Sequence, residues 1–245
     1  MKAIILAAGL GTRIKPLFPN TPKCLIPVAD RPVIDYTLKQ LSRFDKKAQI
    51  AIIVNSDNYQ AIENYVKWAA YPNKINLVVQ NHQLGTAAAV LLGLEFLGDT
   101  KGTFVAFGDT IVDSDLRDFL LVAKNANKIS LMNKKDGGSG ACIQFGSLLK
   151  VIEEPNPYSY SLGPWYYFLN GFALRQIITT LIAKNDKTMG EFSLTTAINY
   201  LLGLKPRLPF EHAYYPTTFD IGSPEGYAKA NRHFGGQHDK DISTS

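Results

Sequence analysis

The chain has 245 residues, with 26 Lys and Arg against 21 Asp and Glu and a net charge of +5. At 46% hydrophobic and 19% charged residues, it is long and apolar enough to bury the core of one α/β domain or of two closely joined lobes. The mild positive charge contains no lysine or arginine block and accompanies no nucleic-acid-binding motif, so it suits small anionic ligands and argues against nucleic acid as a partner.

Lys2 to Leu6 reads as a short buried strand, an apolar run bounded by glycine. The chain then loses its side chains. Ala7, Ala8, Gly9 and Gly11 leave backbone N–H groups uncovered after that strand, a surface suited to phosphate oxygens. Arg13 and Lys23 add two fixed positive charges, and the combination asks for a polyanion, most simply a nucleoside triphosphate. A dinucleotide fingerprint fits badly, since its third glycine would fall at Ile14 and Lys15-Pro16 follows where a helix should be running. No Gly-Lys-Ser/Thr follows either, so this is not a P-loop; a plain strand-to-loop turn is the non-functional alternative.

Pro32 opens a helical pattern with Ile34, Leu38, Leu41 and Phe44 on one face. Strands at Ala48 to Val54, Ile75 to Val79 and Thr103 to Phe107 then alternate with helices at Asn58 to Trp68 and Thr86 to Leu97, the pattern of parallel βαβ units with helices on both faces. In such sheets ligands bind at the carboxyl ends of the strands. Gly9 to Arg13, Gln80 to Thr86 and Gly108-Asp109 all follow strands and should converge on one crevice.

Beyond Asp113 a helix from Ser114 to about Asn125 precedes shorter strand-like runs at Ile129 to Asn133, Ala141 to Phe145 and Leu149 to Glu153, a mixed and partly antiparallel texture. Strands at Tyr166 to Ala173 and Leu208 to Tyr215 flank helices at Gln176 to Lys184 and Phe192 to Leu202, and a last helix runs from Pro224 to about His233. Residues 235–245 are polar and without periodicity and are expected to be a disordered tail. The organisation is one domain over 1–234 in two halves, the first to 113 and the second from 114 to 234. Cys24 and Cys142 lie far apart without metal-ligand spacing, which reads as reduced thiols in a cytoplasmic protein. The run Ala3 to Ala8 is too short for a signal peptide, and nothing approaches a membrane span, so no membrane partner is expected. The histidines His82, His212, His233 and His238 form no cluster and read as surface or loop residues.

The string Leu6-Ala-Ala-Gly-Leu-Gly-Thr-Arg-Ile-Lys-Pro-Leu, continued by Pro22-Lys23-Cys-Leu-Ile-Pro-Val, resembles the signature of the sugar-1-phosphate nucleotidyltransferases. That resemblance implies an α/β, GT-A-like, Rossmann-related sheet, mixed but mostly parallel, with a nucleotide-binding half to 113 and a sugar-binding half from 114 to 234. It also implies transfer of a nucleotidyl group from a pyrimidine triphosphate, UTP or dTTP, to a sugar 1-phosphate, with release of pyrophosphate and magnesium as cofactor. Leu6, Ala7, Ala8, Gly9, Gly11, Thr12 and Arg13 would hold the nucleotide, with Arg13 and Lys23 acting on the reacting phosphates. Asp109 ends an apolar strand, where a turn aspartate is the bland alternative; Asp220, in Thr218-Phe-Asp-Ile-Gly-Ser-Pro-Glu-Gly-Tyr, resembles the family's second metal-binding motif. The family assigns both as magnesium ligands, and two carboxylates with phosphate oxygens and water suit that ion.

Gln80-Asn81-His82-Gln83-Leu84-Gly85-Thr86 resembles the base-binding string of uridylyltransferases, with Gln80, Gly85 and Thr86 at the nucleotide and the Ala7-Ala8 backbone opposite. A glutamine amide matches the donor and acceptor pattern of a uracil or thymine imide. On the sugar side, Glu153, Asn170, Gly171 and Glu191 fall on elements resembling the family's sugar-contacting segments, but Glu154 stands where the family has lysine. A cytidylyl- or guanylyltransferase using another phosphorylated acceptor, and a catalytically silent nucleotide-sugar-binding protein, remain as alternatives, and a homo-oligomer is left open. No hexapeptide repeats occur, so a β-helical acyltransferase part is not expected in this sequence.

Overall fold

The computed structural model describes residues 1–98, 101–122, 125–134, 140–144, 147–152, 157–204 and 209–242. The first half runs β1 (Lys2–Leu6), a 3-10 turn at Lys23–Leu25, β2 (Pro27–Val28), β3 (Arg31–Pro32), α1 (Val33–Phe44), β4 (Gln49–Val54), α2 (Tyr59–Ala69), β5 (Lys74–Val79), α3 (Thr86–Leu97), β6 (Thr103–Phe107) and β7 (Thr110–Val112). The second half adds α4 (Leu116–Val122), β8 (Asn127–Asn133), β9 (Gly140–Gln144), β10 (Ser147–Ile152), β11 (Tyr160–Phe168), α5 (Gly171–Ala183), α6 (Leu194–Gly203), β12 (Phe210–Tyr214), β13 (Thr218–Asp220) and α7 (Pro224–Ile242).

Among the described residues nine strands form one sheet, in the order β10-β9-β11-β6-β1-β4-β5, with β8 joining β11 to β12. The four strands β6, β1, β4 and β5 are parallel, so their carboxyl ends share one edge. Side chains alternate across the pleat. Ile4 and Leu6 enter a core with residues of α3, α5 and α6, while Ala3 and Ile5 pack with residues of α1, α2 and α4. A third, smaller core of Ile14, Ile26, Val28, Val33, Ile111, Ile221 and Ala230 lies apart from both.

Two expectations change. The strand anticipated at Tyr166 to Ala173 is β11, which starts earlier at Tyr160 and stops at Phe168, because Asn170 caps α5 by accepting the Ala173 N–H at 3.0 Å. Gly163 and Pro164 do not end the strand; they fall where its register against β8 shifts, between Leu162 and Tyr166. The last helix also continues to Ile242, through most of the stretch read as a structureless tail. No proline follows Pro224 to interrupt its backbone ladder.

Candidate active site

The ladder of the parallel strands carries on past their ends. Ala7 N–H donates to the Ile53 carbonyl, Gly108 N–H to Leu6 and Gln80 N–H to Val54, each at 2.8 Å. This fixes the starts of three loops on one edge, as expected from the strand order. The loop after β1 folds back on itself, with the Ile14 and Lys15 N–H groups donating to the Gly11 carbonyl at 3.1 and 3.0 Å. Gly9, Thr12 and Arg13 are exposed on it, while Ile14 is buried in the third core.

That core explains how distant stretches meet. Ile14 follows Arg13, Ile26 lies just beyond Lys23, Ile111 is two residues past Asp109, and Ile221 follows Asp220. Ile221 N–H donates to the Asp109 carbonyl at 3.0 Å, and β13 pairs with β7 so that Asp220 opposes Thr110. The result is a compact charged centre. Lys23 Nζ lies 2.5 Å from Asp109 Oδ2 and 3.5 Å from Asp220 Oδ1. Thr110 Oγ1 donates to Asp109 Oδ1 at 3.1 Å, and Gly222 N–H donates to Asp220 Oδ1 at 2.8 Å. A Cβ at Gly222 would sit 2.6 Å from Lys23 Nζ, 2.8 Å from Asp220 Oδ1 and 3.2 Å from Arg13 Nη2, so three side chains gather closely around this glycine.

Burial alone would lower the Lys23 pKa, but the charges and hydrogen bonds of Asp109 and Asp220 outweigh it and hold the ammonium above its ordinary value. Lys23 is therefore a permanent cation. Burial, helped by the Asp109 charge, pushes the neighbouring Cys24 thiol up to about 12, which leaves it inert. Asp109 and Asp220 aim at one point, and a hard cation could take that pair and draw its other oxygens from phosphate and water. Among the described residues no three His, Cys, Asp or Glu side chains converge, so the protein alone does not complete such a sphere. Beside Asp220 a cavity of about 560 Å³ is lined by Arg13, Asn133, Lys134, Ser223 and Lys229 among others.

The loop after β5 faces the loop after β1, with Gln83 Nε2 donating to the Ala8 carbonyl at 3.0 Å. Gln80 is buried, its Nε2 donating at 3.4 Å to the Gly85 carbonyl. Gly85 adopts φ +104°, and a Cβ there would meet the Phe192 backbone at 2.5 Å, so glycine is required on both counts. Phe192 N–H donates to the Leu84 carbonyl, Ala87 N–H to the Phe192 carbonyl and Leu194 N–H to Thr86 Oγ1, at 2.8 to 2.9 Å. Glu191 is thereby brought next to this loop and lines a cavity of about 260 Å³ with Thr86, Phe107 and Tyr166.

Not every expected residue joins the site. β11 is antiparallel to β6, with Phe168 opposite Thr103, so Asn170 and Gly171 lie beyond the end of the sheet away from Asp109. The length of β6, about 13 Å, separates them. Asn170 serves as a helix cap, and only the Tyr160 end of β11 approaches the crevice. Glu153 and Glu154 lie outside the described residues. Conversely, Asn55, at the end of β4, carried no recognisable signal; its Nδ2 donates at 3.0 Å to the Ala8 carbonyl and its Oδ1 accepts from Asn58 N–H at 2.9 Å. Of the histidines, His233 faces Asp113 Oδ2 at 2.6 Å, outside this centre.

The parallel-strand edge thus carries a glycine-rich loop, two cations and two convergent carboxylates, a charged crevice suited to anionic ligands. The sequence profile described as nucleotidyl transferase matches residues 2–141, and the chain belongs to that family. It is 29% identical over 246 residues to the bifunctional protein GlmU of Methanococcus vannielii, covering 96% of this chain and 55% of that one. It is 28% identical to a bifunctional sugar-1-phosphate nucleotidylyltransferase/acetyltransferase of Sulfurisphaera tokodaii, covering 95% and 55%. The chain thus spans about half the length of the curated relatives it matches. A Bacillus anthracis structure, provisionally named as a glucose-1-phosphate thymidylyltransferase and solved with sucrose, superposes with a TM-score of 0.80 at 25% identity over 95% of this chain and 94% of that one. A UDP-glucose pyrophosphorylase bound to UDP-glucose shares the fold at a TM-score of 0.76 and 18% identity, covering 96% of this chain and 98% of that one. The sheet is accordingly of the GT-A-like, Rossmann-related kind.

Proposed function

We propose that this chain transfers a nucleotidyl group from UTP or dTTP to a sugar 1-phosphate, forming a nucleotide sugar and pyrophosphate. The observation that carries the reading is the placement of Lys23 between Asp109 and Asp220, with Arg13 beside them at Gly222. A sugar 1-phosphate is already an anionic nucleophile near neutrality, so the site needs no general base; it must align two polyanions and offset their repulsion. Arg13 offers a planar fork to phosphate oxygens, and Lys23 supplies a fixed positive charge next to the reacting group. Asp109 and Asp220 would hold magnesium, which when bound draws charge from the phosphoryl oxygens.

Gln80 and the Gly85 backbone are assigned to the base, and Glu191, with the cavity it lines, to the sugar hydroxyls. Asn170 and Gly171 have no part in this assignment, since they lie at the other end of the sheet. The test is pyrophosphate release on mixing the protein with magnesium, each of UTP, dTTP, CTP and GTP, and a panel of sugar 1-phosphates. Release with UTP or dTTP and one of the sugar phosphates is expected; release only with CTP or GTP, or none at all, rejects the reading.

A further inference from the structure

Met189 holds a backbone conformation that a long side chain disfavours. Its φ is +52°, and the other non-glycine residues at positive φ among those described are Ala29, Ala70 and Asn185, two short side chains and an amide that tolerates this region well. Thr188 N–H donates to the Glu191 carbonyl at 2.9 Å and Glu191 N–H to the Thr188 carbonyl at 3.1 Å. Met189 and Gly190, the latter at φ +85°, are therefore the central pair of a tight hairpin turn with positive φ at both positions. Asparagine, aspartate or glycine is the usual first residue of such a turn. The turn is pinned on both sides. Thr188 Oγ1 meets Thr196 Oγ1 of α6 at 2.8 Å, and Phe192 N–H donates to the Leu84 carbonyl, so the strain cannot relax by drift of the loop. Packing does not explain the methionine either, since it is 74% exposed.

What Met189 lines is the cavity of about 260 Å³ that Glu191 shares with Phe107, Tyr166 and Leu194. The small hydroxyls of that wall are held within the protein. Thr86 Oγ1 accepts from Leu194 N–H, Ser193 Oγ accepts from Thr195 N–H at 3.1 Å, and Thr188 is bonded to Thr196. The Glu191 carboxylate has no partner among the described residues. An occupant thus meets an open acceptor in a wall that is otherwise mostly carbon and sulfur. A sugar carrying only hydroxyls leaves the apolar part unmatched, whereas a methyl group next to an O–H or N–H fills it. Resting on the assignment of this cavity to the acceptor sugar, we propose that Met189 selects sugar 1-phosphates in which a methyl-bearing substituent, a deoxy carbon or an acylamino group, replaces a hydroxyl. The thioether folds onto that methyl while Glu191 accepts from the neighbouring donor, a fit that its three rotatable bonds allow. The strained turn keeps the side chain over the mouth of the cavity.

The test compares the wild type, Met189→Asn and Met189→Leu on glucose 1-phosphate, its 6-deoxy analogue and its 2-acetamido analogue, with magnesium and saturating UTP or dTTP. The wild type should prefer one of the two methyl-bearing acceptors, and which one identifies the substituent. Met189→Asn should lower kcat/KM for that acceptor by roughly tenfold, the low end for one methyl against an apolar wall, and change glucose 1-phosphate and the nucleotide KM by less than about twofold. Met189→Leu should keep the preference. Met189→Asn should also melt roughly 1 to 3 °C higher, since asparagine relieves the turn. A methionine with a merely structural role would move all acceptors alike and lower the melting temperature. A wild type that prefers glucose 1-phosphate, acceptor constants that are unchanged or uniformly changed in Met189→Asn, or a variant that does not melt higher each overturns the proposal and leaves nucleotidyl transfer standing. Absence of pyrophosphate release with every sugar 1-phosphate of the wider panel rejects nucleotidyl transfer itself, and this inference with it.

Discussion

Lys23 Nζ stands 2.5 Å from Asp109 Oδ2, and this contact joins the segment between β1 and β2 to the end of a central strand. Because the same ammonium also reaches Asp220, losing either carboxylate should disturb both the remaining carboxylate and the lysine. Asp109→Ala and Asp220→Ala are each expected to cut turnover by at least about a hundredfold, the scale for groups that stabilise a transferring phosphoryl. Pyrophosphate release measured against magnesium concentration checks this; full activity in either variant without magnesium would end the metal assignment.

The raised Lys23 pKa has a consequence for stability. A lysine held above its unfolded value of 10.5 contributes its full share below that pH and loses it as pH climbs through the folded value. Asp109→Asn removes one of the two charges opposing the burial cost, so its Lys23 should deprotonate at lower pH than in the wild type. Thermal melts taken from neutrality to strongly alkaline pH should show the variant weakening first. Coincident alkaline limbs would show that the pair does not couple to folding.

Arg13→Ala should act on turnover, and Arg13→Lys should not restore it, because a planar fork holds two phosphate oxygens and an ammonium does not. Steady-state rates for the two variants decide the point. Rescue by lysine would mean that charge alone matters there.

Gly222→Ala offers a way to separate site from fold. The added methyl would press on Lys23 Nζ, Asp220 Oδ1 and Arg13 Nη2, mostly flexible side-chain tips that can move aside. The melting temperature should therefore change little while turnover drops by roughly tenfold or more, since small displacements at a positioned centre are costly. Parallel losses of both would place Gly222 in the structural scaffold instead.

Gln80→Ala should lower discrimination among triphosphates by roughly tenfold, the effect of one or two hydrogen bonds lost in a buried position. Competition assays with UTP, dTTP, CTP and GTP measure it. An unchanged ranking would move base recognition to another element.

Much of this site was legible because its residues sit in local signals. The loss of side chains from Ala7 to Gly11, with Arg13 and Lys23 close behind, is a property of one stretch of chain, and the structure keeps it together. Asp109 and Asp220 could be paired only by family resemblance, since what brings them together is β7 against β13 and the Ile221 N–H on the Asp109 carbonyl. Asn170 and Gly171 were misplaced for a physical reason. A polar-glycine step after an apolar run looks the same whichever way the strand points, and β11 runs against its neighbour β6. Asn55 was invisible because one asparagine after a strand is an ordinary turn residue; its role lies in the Ala8 carbonyl, far away in sequence.

The third core sets the order in which this protein fails on heating. Its seven buried residues, from Ile14 to Ala230, hold Arg13, Lys23, Asp109 and Asp220 in register but share none of the apolar mass of the two cores that clamp the sheet. A unit with so little surface to lose opens at lower free energy than the body around it. Heat inactivation will therefore precede loss of secondary structure, and strengthening the contacts of this third core would extend working life without strengthening the sheet at all.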